Sequence, residues 1–193
     1  MRVEPVVFTQ LVIAAATLLA SLGGYLLAGV NERRRDARTL AREMELRGAE
    51  RASRRDDAAH AFQRETLLAL QDAVQLMARL TYKAMHFDHM QARGHKYTQL
   101  PDALSDDIPS NGVEVRRLAT RVLDPGVRAA VDAFDETSAR LSTSPRHLDG
   151  LTGDELENRA AVSTVELNDG YQALTSILGE ALRREIAWKP DIE

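Results

Sequence analysis

The feature that most constrains this chain is a stretch of 25 residues, from Val6 to Val30, without a charged side chain. As an α-helix it would be roughly 37 Å long, against a bilayer hydrocarbon core of about 30 Å. A secretory signal peptide has a shorter apolar core and a more basic start, and a soluble core helix of this length has a polar face. We therefore expect residues 6–30 to form a single transmembrane helix, preceded by a short external N-terminus over residues 1–5.

The positive charges that flank this stretch predict its orientation. Only Arg2 and the terminal amine precede it, and four arginines follow it closely: Arg33, Arg34, Arg35 and Arg38. The side of a membrane helix that is richer in arginine and lysine stays in the cytoplasm. We expect the N-terminus to lie outside an inner or plasma membrane, residues 31–193 to be cytoplasmic, and the four arginines to contact lipid headgroups.

The same arginines do not indicate a nucleic-acid interface. Residues 31–55 contain nine arginines and five acidic residues, a net charge of +4, and no aromatic residue. A groove that holds phosphates usually has fewer interleaved acids and has aromatic side chains on which bases stack. We expect the lipid bilayer as a partner and no binding of nucleic acid.

Small residues recur at intervals of four within the predicted span. They are Ala16, Ala20, Gly24 and Ala28. Such a face allows two helix backbones to approach closely in lipid, which favours pairing into a parallel homodimer. Alanine and glycine are also common in apolar spans, so the alternative is a chance pattern and a monomeric chain on a tether.

The region after the span is predicted to be a long helix with two different parts. Between Asn31 and Arg93 there is no proline and one glycine. Residues 31–57 have only a thin face of small apolar residues among charges, which indicates a basic juxtamembrane stalk. The next part has a heptad pattern, widened by Leu67, Val74 and Leu76, which predicts a packed face as in a coiled coil or bundle. The heptad positions are Thr66, Leu70, Ala73, Met77, Leu80, Ala84 and Phe87.

Turn residues divide the rest of the chain. Residues 95–111 contain two prolines and end at the Asn111-Gly112 pair, which predicts a loop. A short helix is expected to begin near Ser110 or Asn111, with Glu114 in the capping-box position and Val115, Leu118 and Val122 facing inward.

Two further helices follow. Asp124-Pro125 is typical of a helix start, and Val127, Val131, Phe134, Ser138 and Leu141 predict one buried face up to Ser144-Pro145. The last helix is expected to begin at the capping box of Thr152 and Glu155 and to end near Trp188.

No stretch alternates as a strand does. The fold class is therefore predicted to be all-α, with a transmembrane helix, a stalk helix, an antiparallel helical bundle over residues 58–188 and a tail over 189–193.

One cluster carries candidate chemistry. His86 and His89 are three residues apart and, with Asp88 between them, are weak candidates for metal ligands. The alternative is that the two histidines are boundary residues near a helix end, because they flank the heptad positions. A zinc hydrolase usually has a helical glutamate beside its ligands, which this stretch lacks. We therefore predict no metal site and no cofactor.

The remaining sequence contains no catalytic signature. It has no cysteine, no phosphate-binding glycine loop and no Gly-x-Ser-x-Gly motif. The arginine-rich composition is typical of a GC-rich bacterial gene. We expect a membrane-anchored interaction or scaffold protein that is not an enzyme, with another protein or itself as partner. The alternatives are a sensor or signalling accessory whose bundle binds a small ligand or relays a helix movement, and a His-dependent metal enzyme.

Overall fold

The computed structural model describes residues 5–142 and 148–188. Within its first helix, the side chains of residues 5–15, 20, 22, 23, 26–34 and 37 lie outside the description. The described residues are helical apart from short connections, and they contain no strand. The all-α prediction is therefore confirmed for the part of the chain that the structure describes.

Four helices run through the described residues. Helix α1 spans Pro5–Gly94, α2 spans Asp102–Ala119, α3 spans Pro125–Ser142 and α4 spans Gly153–Ala187. The contacts divide the chain into two units, Met1–Arg55 and Asp56–Glu193. We call the described residues of the second unit the bundle, and residues 5–55 the N-terminal segment.

Side-chain contacts define the topology of the bundle. Gln63, near the start of the packed part of α1, bonds to the backbone of Arg121 and Leu123 after α2. Further along α1, the carbonyl of Ala73 accepts a bond from Asn111 in the middle of α2. Helix α2 therefore runs antiparallel to α1.

Helix α4 also runs antiparallel to α1, because it contacts that helix in reverse order. Near its C-terminal end, Glu185 bonds to His60 at 2.6 Å, and the Trp188 ring stacks on the same histidine at 4.1 Å between centroids. Near its N-terminal end, Glu157 lies 3.3 Å from His89. The helical-bundle prediction is confirmed, with adjacent helices in alternating directions.

The core is built from one face of each helix. The heptad face of α1 is buried from Thr66 to Ala84, but Phe87 is half-buried and Leu76, predicted to widen the face, is 45% exposed. The predicted face of α3 is buried as expected, and α4 buries Leu156, Leu167, Leu174 and Leu178. The largest fully buried side chains are Phe134, Leu70, Leu174, Leu178 and Val74.

The predicted loop over 95–111 and the predicted start of α2 are wrong. Only residues 95–101 are non-helical, and α2 begins eight residues before Ser110, at Asp102. Pro109 lies inside the helix, where it lacks the N–H that would bond to the Ser105 carbonyl. The capping box is also wrong, because Asn111 lies in the helix interior and its side chain bonds to Ala73.

The other two helix starts are correctly placed but differ in their caps. Asp124 precedes α3, and its Oδ1 accepts hydrogen bonds from the N–H groups of Gly126 at 2.7 Å and Val127 at 3.3 Å. Thr152 precedes α4, but its side chain makes no capping hydrogen bond, so the predicted capping box does not form there. The predicted end of α3 at Ser144-Pro145 and the predicted tail over residues 189–193 lie outside the described residues.

The N-terminal segment belongs to α1 and has few described side chains before Arg38. Those that are described, among them Leu18, Leu19 and Tyr25, are exposed. Within the described part of the chain, no helix is long and apolar enough to cross a membrane. The predicted span over residues 6–30 lies largely outside the described side chains.

Candidate functional site

The bundle contains a cavity of about 550 Å³ between α1, α2, α3 and the loop over residues 95–101. Its apolar wall consists of Met77, Leu80, Leu100, Ile108 and Pro109. Its polar wall includes Thr81 and Asp88 of α1, Asn111 of α2, and Ser138 and Ser142 of α3. This volume and this mixed lining are typical of pockets that hold small organic molecules.

A buried polar contact joins α1 to α3. The Thr81 hydroxyl donates to the Met77 carbonyl at 2.9 Å, and the Thr81 and Ser138 oxygens are 2.5 Å apart. Since the Thr81 proton is already used, the bond between the hydroxyls is donated by Ser138. Ser138 Oγ therefore retains only acceptor capacity.

Asn111 is the second buried polar group of the wall. It is 7% exposed, and its Nδ2 donates to the Ala73 carbonyl at 3.1 Å. That bond fixes the orientation of the amide, because a carbonyl can only accept. The Oδ1 atom is buried and has no hydrogen-bond partner. An unpaired buried acceptor of this kind costs about 1–3 kcal/mol of free energy of unfolding.

An ion pair lies at one edge of the cavity. Arg116 of α2 donates to Asp135 of α3 at 2.9 Å, and the arginine side chain is 58% exposed. Gly112 lies beside this pair, and a Cβ there would be 3.7 Å from Arg116 Nη2 and 3.9 Å from Asp135 Oδ1. The glycine therefore leaves room that a larger side chain would fill.

The loop that covers another side of the cavity is fixed to the end of α1. Gln91 bonds to Thr98 twice, since its Oε1 accepts from the Thr98 N–H at 2.5 Å and its Nε2 donates to the Thr98 carbonyl at 3.1 Å. Helix α1 ends at Gly94, and the residue in the left-handed conformation is His95, with φ of 49°. The Lys96 N–H then bonds to the Gln91 carbonyl at 3.1 Å, as in a Schellman motif.

The structure separates the weak metal candidates. Asp88 lines the cavity of about 550 Å³, is buried, and already makes a hydrogen bond or an electrostatic interaction. His86 and His89 instead line a small cavity of about 70 Å³ on the side of α4. His86 stacks on Tyr82, and His89 Nε2 approaches Glu157 Oε2 at 3.3 Å without hydrogen-bond geometry. Among the described residues, no group of three or more potential ligands is placed to hold a metal ion.

The residues predicted to act at a membrane are only partly described. Arg35 and Arg38 are exposed, and the side chains of Arg33 and Arg34 lie outside the description. Of the small residues predicted to pair two helices, Ala16 and Gly24 are exposed, and a Cβ on Gly24 would meet no atom within 4 Å. The side chains of Ala20 and Ala28 lie outside the described residues.

Comparison of the chain with protein-family models, with curated proteins and with solved structures returned no match.

Proposed function

We propose that the bundle is the small-ligand-binding domain of a membrane-tethered sensor or signalling accessory protein that has no catalytic activity. The observation that carries this proposal is the cavity of about 550 Å³, whose wall combines apolar side chains with a few buried polar groups. Side chains of three helices and one loop line it, so a ligand held there would contact elements that are far apart in sequence.

A ligand that binds only the folded bundle would also stabilise it. At a concentration 100 times its dissociation constant, it would raise the free energy of unfolding by about 2.7 kcal/mol. Because α1 contributes Met77, Leu80, Thr81 and Asp88 to the wall, ligand binding would alter the stability of the helix that also includes the N-terminal segment. A relay of a helix movement requires such a link between ligand binding and the stability of α1.

The test is a screen of small fragments against the full-length chain by saturation-transfer NMR. We expect hits whose signals disappear in Gly112→Leu, because the added side chain occupies the cavity. The matched control is Gly179→Leu in α4, which places the same side chain away from this cavity. The absence of hits, or hits that persist equally in both variants, would contradict the proposal.

Exposed apolar side chains favour a second candidate, an interaction or scaffold protein. On α1 of the bundle, Phe62, Leu68, Leu76 and Met90 are each 45–49% exposed. A partner helix that covered them would gain the free energy of apolar burial. We expect crosslinking of the full-length chain in cells to capture a partner whose yield falls in Leu76→Glu, with the exposed Gln71→Glu as control.

The proposed tether rests on the uncharged residues 6–30 and the arginines that follow them. A reporter fused after Glu193 should behave as cytoplasmic, and an externally accessible C-terminus would contradict this topology.

For the proposed parallel homodimer, Gly24→Ile should weaken association in a bilayer reporter assay much more than Leu19→Ile. Equal signals would mean that the small-residue face is incidental.

A further inference from the structure

The buried hydroxyl groups of the cavity wall have already committed their protons. Thr81 donates to the Met77 carbonyl, and Ser138 donates to Thr81. Ser142 is oriented toward the Ala139 carbonyl at 3.5 Å. A ligand that approaches Ser138 therefore meets lone pairs and no available proton.

The amide of Asn111 presents the same polarity. Its Nδ2 bonds to Ala73, and its Oδ1 is the acceptor that lacks a partner. A ligand group that donates to this oxygen would remove the cost of its burial, whereas a ligand group that only accepts would increase that cost. The most favourable ligand head is thus a donor of hydrogen bonds.

The charged residues described in the wall do not oppose a cation. They are Asp88, Asp135 and Arg116, two acidic residues and one basic residue. Arg116 is the most exposed of them and is bonded to Asp135 at the edge of the cavity. Asp88 is buried in the wall and has an interaction of its own, so it is only a nearby negative charge, and Asn111 and Ser138 supply the acceptors.

We propose that the cavity binds a small molecule with a primary ammonium group on a compact apolar body, with the ammonium at the part of the wall formed by Asn111 and Ser138. An ammonium has three donors and no acceptor, which matches two acceptors that have no proton to give. The apolar body would lie against Met77, Leu80 and Ile108. A carboxylate head would leave both acceptors unpaired and would lie near Asp88. This inference depends on the proposed function, because it requires that the cavity bind a ligand.

The experiment compares three probes that share a phenyl body and differ in the head group: 2-phenylethylamine, 2-phenylethanol and 3-phenylpropanoate. Each is titrated at pH 7 into the full-length chain by isothermal titration calorimetry. We expect the amine to bind at least about tenfold more tightly than the alcohol, since a charged donor makes the stronger hydrogen bonds, and the acid not to bind.

Two variants locate the head group. Asn111→Leu keeps the size of the side chain and removes both polar atoms of the amide, so it should reduce the preference for the amine over the alcohol. It also removes the bond to Ala73, so Ser138→Ala provides an independent loss of an acceptor with less effect on folding. The matched controls are Ser110→Ala and Thr137→Ala, whose hydroxyls bond locally to Asp106 and Ala133 and lie outside the cavity.

Each outcome has a defined meaning. If the alcohol or the acid binds as tightly as the amine, the ammonium inference is wrong and the proposed function stands. If none of the three probes binds, the inference is wrong, and the fragment screen described above then decides separately whether the cavity binds any ligand. If the amine is preferred but neither Asn111→Leu nor Ser138→Ala changes that preference, the assigned acceptors are wrong.

Discussion

Two parts of helix α1 differ in whether other helices pack against them. Every residue from Arg38 to Ala52 is exposed, although Leu40, Met44 and Leu46 are large and apolar. In the part of α1 that belongs to the bundle, Leu70, Val74 and Ala84 have no exposed surface. Both parts lack proline and both are helical. The difference is the spacing of large apolar side chains, because only a continuous stripe of them gives other helices a surface to pack against.

Replacing one leucine by alanine in each part should give the largest difference between them. Leu70→Ala should lower the free energy of unfolding of the bundle by about 2–5 kcal/mol, because it leaves a cavity in the core. Leu40→Ala, at 56% exposure, should change it by no more than about 0.5 kcal/mol. Urea unfolding followed by the fluorescence of Trp188, the single tryptophan, measures both variants. Similar losses would mean that the exposed part is also packed.

Side-chain hydrogen bonds give a second contrast between the two parts. Gln63 is 6% exposed and bonds to the backbone of Arg121 and Leu123, so Gln63→Ala leaves two backbone groups unpaired. We expect a loss of about 1–3 kcal/mol in the same unfolding assay. Within the described part of the chain, the Thr39 side chain bonds only to the Arg35 carbonyl of its own helix, and Thr39→Ala should have almost no effect. If Gln63→Ala is neutral, these bonds do not hold α1 to the segment after α2.

The pH dependence of stability should also belong to the bundle. Burial tends to raise the pKa of Asp124, but hydrogen bonds from Val127, Gly126 and Arg184 outweigh it, so the pKa lies below its usual value. The unfolded carboxyl takes up a proton near its ordinary pKa of about 3.9, whereas the folded one stays ionised to lower pH. The stabilisation is thus complete above that value and is lost as pH falls through the lowered folded pKa.

Asp124→Asn tests this sign. The variant should unfold with a weaker pH dependence below about pH 4 and with little change in slope above it. Asp124→Ala should cost about 1 kcal/mol at neutral pH, because it removes the cap of α3. Thr152→Ala is the control, since its hydroxyl makes no capping bond. An unchanged acid transition in Asp124→Asn would contradict the assignment.

Replacing one glycine in the N-terminal segment and one in the bundle is expected to give the smallest difference in stability. Gly48 in the exposed part has no atom within 4 Å of an added Cβ, so Gly48→Ala should raise local helix stability by up to about 1 kcal/mol. Gly170 in α4 has Phe134 Cδ2 at 3.3 Å, and that ring is 2% exposed. Gly170→Ala should therefore lose part or all of the same gain. Amide hydrogen exchange around each site measures it, and equal gains would mean that packing does not limit Gly170.

Much of the bundle was predictable because its signals are local. Asp124-Pro125 marks the start of α3, and the heptad spacing identifies the buried face of α1. The start of α2 was missed because Pro109 suggested a loop. A signal did exist, since Leu104, Ile108, Asn111, Val115 and Leu118 continue one stripe at intervals of four and three through that proline. The packing of that stripe outweighs the missing hydrogen bond.

The candidate site was not predictable from the same signals. Ser138 was correctly placed on a buried face, and Thr81 and Asn111 resemble boundary residues in the sequence. Their role depends on which faces of α1, α2 and α3 meet, and no local spacing specifies that arrangement. The spacing of His86 and His89 makes them weak candidates for metal ligands, but the structure places them toward α4, on a different side of α1 from Asp88.

The most direct test of the central claim, that the bundle holds a ligand in its cavity, uses the methionine methyl groups. Met77 lines the cavity, whereas Met44 is 65% exposed in the other part of α1 and Met90 is 49% exposed. In spectra of the full-length chain with ¹³C-labelled methionine methyls, titration with the fragments of the screen described above should shift the Met77 signal saturably for at least one fragment. The Met44 and Met90 signals should not move, and the Met77 shift should be lost in Gly112→Leu. An unchanged Met77 signal with every fragment, or equal unsaturable shifts at all three methionines, would contradict ligand binding in this cavity.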